Sequence, residues 1–108
     1  MQNQIHKFKG DVIILNNFFK LTIITPEEEV FEGNAIKLNC ETTEGRMGVL
    51  PNHCAMVAAL TKSETKFEDV NHKKYKIFTS EGILKINNNN VILLCDAVKL
   101  DNSEKTTQ

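Results

Sequence analysis

The stretch TTEGRMGVLPNHCAMV, residues 42–57, holds the chain's single arginine, Arg46, an adjacent His53–Cys54 pair, two glycines and a proline. An imidazole beside a thiol suggests a base and its nucleophile. In an extended chain, however, successive side chains point to opposite faces, so His53 and Cys54 do not readily share a proton. A thiol nucleophile also needs a third group to orient its base, and no spacing marks one. His53, Cys54, His72 and Cys95 are candidate metal ligands by type, but the paired short spacings of a zinc site are missing. The segment EGRMG has two glycines but neither the Lys-Ser/Thr of a phosphate-cradling loop nor the third glycine of a dinucleotide turn. The carboxylates of PEEEVFE, residues 26–32, read as a solvated turn. Catalysis, metal binding and cofactor binding are therefore not expected, and the opening stretch reads as a shape to be gripped.

The elements that must hold this shape come from a chain of 108 residues, a size that fits one domain with a sizeable core. A content of 41% apolar and 25% charged residues is that of a globular protein, which excludes a fibrous or disordered class. The longest apolar runs, DVIIL (11–15) and VILLC (91–95), fall far short of the roughly 20 residues a bilayer-crossing helix needs. The net charge is −1 and the lysines are scattered among acids, so no basic stripe points to nucleic acid. Cys40, Cys54 and Cys95 form no even-numbered disulfide framework, and the chain reads as one from a reducing, intracellular compartment.

Periodicity favours strands nearly throughout. Ile36, Leu38 and Cys40 alternate with Lys37, Asn39 and Glu41, the period of two that gives a strand one wet face. KLTIIT (20–25) is rich in β-branched residues and stops at Pro26, after which PEEE forms a turn. Gly33 and Asn34 both tolerate positive φ, so a reversal is expected there, with 35–41 as the returning strand. KKYKIFT (73–79) is a further strand, and GILKI (82–86) turns through NNNN (87–90) into VILLCDAV (91–98). That last run lacks alternation and reads as a central strand covered on both faces. HCAMVAAL (53–60) follows Pro51 and reads as a strand or an irregular crossover. DVIIL is either a hairpin partner of FFKLTII or an unpaired extension. The expected architecture is all-β, an antiparallel β-sandwich of two packed sheets, with residues 1–19 as an N-terminal extension (an extra strand or disordered), 20–100 as the sandwich and 101–108 as a polar tail.

Three motifs in order then carry a resemblance. IITPEEEVFEG (23–33) is similar to a strand, a Thr-Pro-Glu turn and Val-Phe-x-Gly. Gly45, Gly48, Val49, Leu50, Pro51 and His53 match Gly-x-x-Gly-Ile/Val-Leu-Pro-x-His. SEGILKINNNNVILLCDAV (80–98) matches Ser-x-Gly, a strand, an Asn/Gly turn and an apolar final strand. From about Lys20 to Leu100 the sequence resembles the N-terminal β-sandwich of the epsilon subunit of rotary F-type ATP synthases. It departs from the family at Cys54-Ala55, where Ala-Pro is usual, at Ser63, where Gly is usual, and at Arg46, where an acid is common. Members typically add two C-terminal helices, with an Asp-x-x-Arg-Ala type motif in those that bind ATP. This sequence stops after its last strand, so regulation through those helices and ATP binding are not expected of it.

The resemblance implies a non-catalytic rotor part that fastens the gamma subunit to the membrane-embedded ring of c subunits. It would sit peripherally on the cytoplasmic side of the cell membrane, or on the equivalent face of an organelle membrane. It further implies that Glu44, Gly45 and Arg46 form the ring-facing loop and that His53, with Thr25 nearby, lies toward gamma. Arg46 would make a forked contact with ring carbonyls or carboxylates, and Gly33, Gly48, Pro51 and Gly82 would set loop geometry. The alternative reading is a stand-alone β-sandwich that binds a ligand or peptide.

Overall fold

The computed structural model describes residues 3–8 and 11–100. It is built from strands alone: β1 (Asn3–Phe8), β2 (Asp11–Asn16), β3 (Phe19–Ile24), β4 (Glu29–Thr42), β5 (Gly45–Val49), β6 (Met56–Leu60), β7 (Ser63–Asp69), β8 (Lys74–Thr79), β9 (Gly82–Asn87), β10 (Asn90–Cys95) and β11 (Val98–Leu100). The all-β expectation holds. The expected polar tail, 101–108, lies outside the described residues.

Alternation explains the packing. In β3 Phe19, Leu21 and Ile23 are buried, and Leu38 and Cys40 of β4, Leu84 and Ile86 of β9, and Val91, Leu93 and Cys95 of β10 join them in one core. Val49, Leu60, Phe67 and Ile77 close the core from the other strands. Buried Thr65 and Thr79 satisfy each other across β7 and β8 through hydroxyls 3.0 Å apart, so neither leaves a buried polar group unpaired.

The strands follow one path, β11-β8-β7-β4-β3-β10-β9-β6, with β5 on β4. The 14-residue β4 belongs to both layers of the sandwich. Its first half pairs with β3, while its second half pairs with β7 on one side and β5 on the other. A register shift between Ala35 and Lys37 lets it bend between the layers. The path nearly closes where Thr42 meets Leu60, with the Thr43 N–H donating to the Ala59 carbonyl at 3.0 Å and the Thr61 N–H to Glu41 at 3.0 Å.

Four local expectations are corrected. The chain does not reverse at Gly33–Asn34, because those residues lie in register with Leu21 and Lys20 inside β4. The reversal is at Pro26–Glu28, where Thr25 and Glu28 exchange backbone hydrogen bonds of 2.9 and 3.3 Å. Gly33 instead leaves room for the ring of Phe31, whose Cζ would stand 3.1 Å from an added Cβ. Second, β2 does not pair with β3. Its partner is β1, because both edges of β3 are taken by β4 and β10. Third, the sheet is not wholly antiparallel: β10 runs parallel to β3, the place where two antiparallel pairs, β3–β4 and β9–β10, join side by side. Fourth, β10 is central but covered on one face only, since Leu94 is 44% exposed.

The asparagine turn falls where expected. Asn88 and Asn89 take φ of 51° and 59°, the left-handed pair that a two-residue hairpin needs, and Asn87 pairs with Asn90.

Candidate functional site

The 42–57 stretch resolves into a hairpin tip, a strand and a second turn. Thr42 holds the tip: its Oγ1 accepts from the Glu44 N–H at 3.1 Å and donates to the Gly45 carbonyl at 2.9 Å. Gly45 has φ of 118°, a value that favours glycine, whereas Gly48 is an in-register strand residue opposite Asn39. Gly48 therefore shapes no loop; a Cβ there would stand 3.3 Å from Asn39 Oδ1. Glu44 is exposed at the tip.

Arg46 is more constrained than a loop charge. Its Nη1 donates to Glu41 Oε1 at 3.1 Å and its Nη2 to the Glu64 carbonyl at 2.9 Å. The fork thus spans a carboxylate and a carbonyl of its own sheet, across β5, β4 and β7.

After β5 the chain turns at Pro51 and Asn52, and Asn52 has φ of 69°. The Asn52 N–H donates to Asn89 Oδ1 at 2.6 Å, and Asn89 Nδ2 returns a bond of 3.0 Å to Asn52 Oδ1. This clasp ties the second turn to the β9–β10 hairpin. His53 then turns inward on its own chain: Nδ1 lies 2.8 Å from the Cys54 carbonyl, which can only accept, so Nδ1 carries the proton. The imidazole engages the backbone of Cys54, not its thiol.

The other thiols are sequestered. Burial pushes Cys40 up to about 11 despite the opposing pull of the Arg46 guanidinium, and burial with nearby Asp96 pushes Cys95 up to about 11. Their neutral forms are favoured by folding, so this contribution is intact below the ordinary thiol value of 9.0 and fades as pH rises toward about 11. With a thiol-reactive dye near neutral pH, Cys54 is expected to label quickly in the native protein, and Cys40 and Cys95 only after denaturant is added. Rapid labelling of three thiols in the native state contradicts this. Among the described residues no group of three or more His, Cys, Asp and Glu is placed to hold a metal ion.

Thr25 and His53 border the same layer at opposite ends. Thr25 follows Ile24, which pairs with Leu94 at the far end of β10. His53 adjoins Asn52, clasped to Asn89, whose carbonyl accepts from Lys20 at the near end of β3. Five residues of strand separate the ends, roughly 17 Å at the usual rise.

Sequence reasoning missed what lies between them. The outward residues of β3, β10, β9 and β6 stand in two rows, Ile24–Leu94–Ile83–Ala59 and Thr22–Ile92–Lys85–Val57. Val57, Ile83 and Leu94 are 66%, 47% and 44% exposed, an apolar surface where a solvated sheet carries polar groups. The signal was present in VILLC, whose missing alternation marks one face for the core and one for this surface.

A family model described as the beta-sandwich domain of the ATP synthase delta/epsilon chain matches residues 18–101. The chain belongs to this family. Among relatives, the ATP synthase epsilon chain of Clostridium novyi is 47% identical over 81 residues, 75% of this chain and 62% of that one. The epsilon chain of Clostridium acetobutylicum is 40% identical over 81 residues, 75% of this chain and 61% of its own length. The chain thus spans about three-fifths of the length of the curated relatives it matches. A chain in the Euglena gracilis mitochondrial ATP synthase structure (OSCP/F1/c-ring) superposes with a TM-score of 0.74 at 20% identity, covering 96% of this chain and 67% of that one. A chain in the central stalk/c-ring structure of the Tetrahymena thermophila enzyme gives 0.64 at 17% identity, covering 79% and 67%. At these identities the likeness is one of fold. No helix among the described residues is long and apolar enough to cross a membrane.

Proposed function

We propose that the chain is a non-catalytic central-stalk subunit of an F-type ATP synthase, coupling gamma to the c-ring during ion-driven ATP synthesis. It sits peripherally at the membrane, on the cytoplasmic side or its organellar equivalent. The observation that carries this reading is the apolar outward face of β3, β10, β9 and β6, bounded by Thr25 at one end and His53 at the other. An unpartnered apolar sheet face of this kind is what a permanent subunit contact buries. Gamma is its occupant, and Glu44, Gly45 and Arg46 at the hairpin tip address the ring.

The mechanism is passive. A sandwich stitched by backbone ladders on nearly every strand transmits torque with little deformation, and a polar tip grips polar ring loops through charge-assisted bonds. Arg46 commits two of its five N–H groups within the chain, so its fork is already oriented when the ring arrives. The remaining N–H groups reach a ring carbonyl or carboxylate. Arg46→Ala is accordingly expected to leave gamma capture intact, to change folding stability by less than about 1 kcal/mol, and to lower coupled synthesis measurably. Unchanged assembly and unchanged synthesis would remove the Arg46 contact from the proposal and leave the rest.

Copurification tests the whole reading. Affinity-tagged chain expressed with gamma and the ring is expected to bring both down, and omission of the chain to loosen gamma from the ring. A folded monomer that retains neither partner would instead indicate a free-standing ligand- or peptide-binding sandwich. Calorimetric titration with ATP is expected to show no binding.

A further inference from the structure

The outward face of the opposite layer is built on another principle. On β4, β7 and β8 the positions that avoid the core include Lys37, Lys66, Lys74 and Lys76. The register sets Lys37 beside Glu68 beside Lys74, and Asn39 beside Lys66 beside Lys76. Arg46, opposite Glu41, and Lys99, opposite Phe78, extend the surface at its two margins. Six cations here face three carboxylates, Glu41, Glu64 and Glu68, on a protein whose net charge is −1.

Those carboxylates are already shared. Glu64 meets Lys66 at 3.8 Å and Lys76 at 3.5 Å, Glu41 holds Arg46 at 3.1 Å, and Glu68 takes His72 at 2.9 Å. Lys66 and Lys76 stand directly opposite each other across β7 and β8, a like-charge pairing that costs a sheet stability. Glu64 lies against both, and the face as a whole still carries twice as many cations as carboxylates. The four lysines also line a groove of about 330 Å³, together with Asn39, Phe67, Glu68 and Tyr75.

The geometry points to a carboxylate-rich, extended segment of a partner protein as the occupant of this groove: we propose that β4, β7 and β8 form a docking face for it. Alternate residues of a strand repeat at roughly 6.7 Å, and neighbouring strands lie about 4.8 Å apart. Lys74 and Lys76 therefore match the side-chain repeat of an extended acidic peptide. A bilayer offers a flat anionic surface that cannot enter a groove, so lipid headgroups fit this site less well. The inference is independent of the gamma-facing reading, which concerns the other layer.

The test uses the full chain and a fluorescent ten-residue peptide of alternating Asp and Ser, read by anisotropy, beside sedimentation with vesicles of phosphatidylglycerol and phosphatidylcholine. The peptide is expected to bind at about 30 mM salt and to weaken at least tenfold by about 300 mM, because exposed charges are screened over that range. Lys66→Gln with Lys74→Gln is expected to weaken binding about tenfold, roughly threefold per lysine, while the circular dichroism spectrum stays that of the parent. The proposal is overturned if the parent fails to bind the peptide at low salt, if the double variant binds as well as the parent, or if the vesicles bind and the peptide does not.

Discussion

On the proposed coupling role, Ile83→Asp combined with Leu94→Asp is expected to leave a folded chain that no longer retains gamma. The two side chains are cross-strand neighbours on β9 and β10, and they point away from the core at 47% and 44% exposure. In the free chain each aspartate stays in water, so the cost to folding is confined to the low strand propensity of Asp and the like-charge pairing across β9 and β10. Against an apolar surface of gamma each would be a carboxylate stripped of water, which costs several kcal/mol per group. The two together therefore weaken capture by at least about a hundredfold. Co-elution with gamma on size exclusion, with the circular dichroism spectrum as control for folding, measures this. Undiminished retention of gamma by the folded double variant would remove the apolar face from the interface and take the principal support of the coupling role with it.

Gly82→Ala acts on folding itself. Gly82 opens β9 between Leu60 of β6 and Cys95 of β10, so its backbone is hemmed in on both sides. A Cβ at this position would fall inside the contact distance of the Leu94 carbonyl oxygen and stand 3.0 Å from Cys95 Cα. Both are backbone atoms, and the obstruction has no rotamer through which to escape. Relief requires β9 and β10 to separate at the point where both layers approach the β4–β6 closure. The expected loss is about 3 kcal/mol, seen as a fall of roughly 10–20 °C in melting midpoint for a domain of this size. A variant that melts with the parent would show that the strands spread at little cost. Gly82 was expected to set loop geometry; its demand is instead for close approach of two strands, a constraint set by the neighbouring strand.

The two substitutions separate kinds of information. Turn chemistry was legible wherever one short segment decides it: Asn88 and Asn89 supply their own left-handed φ, and Pro26 ends β3. Gly33–Asn34 offered the same local signal and was overruled, because pairing with β3 on one side and β7 on the other gives β4 more hydrogen bonds straight than turned. Arg46 shows the same limit. Its place in the motif was plain, but that its fork closes on Glu41 and Glu64 depends on β7 arriving beside β4. Thr25 and His53 were assigned together to one side as near neighbours, and the fold instead sets them at opposite ends of one surface.

Alternation, β-branching and short-range residue order suffice to read the all-β class, most strand positions, the asparagine turn and family membership. The tertiary structure alone decided that β3 lies parallel to β10, that β4 serves both layers, and that one outer face is apolar while the other is basic. Those outcomes depend on which strands become neighbours. Every strand has two edges and a backbone able to pair with any other, so the choice among partners is made by how all the apolar faces can be buried at once.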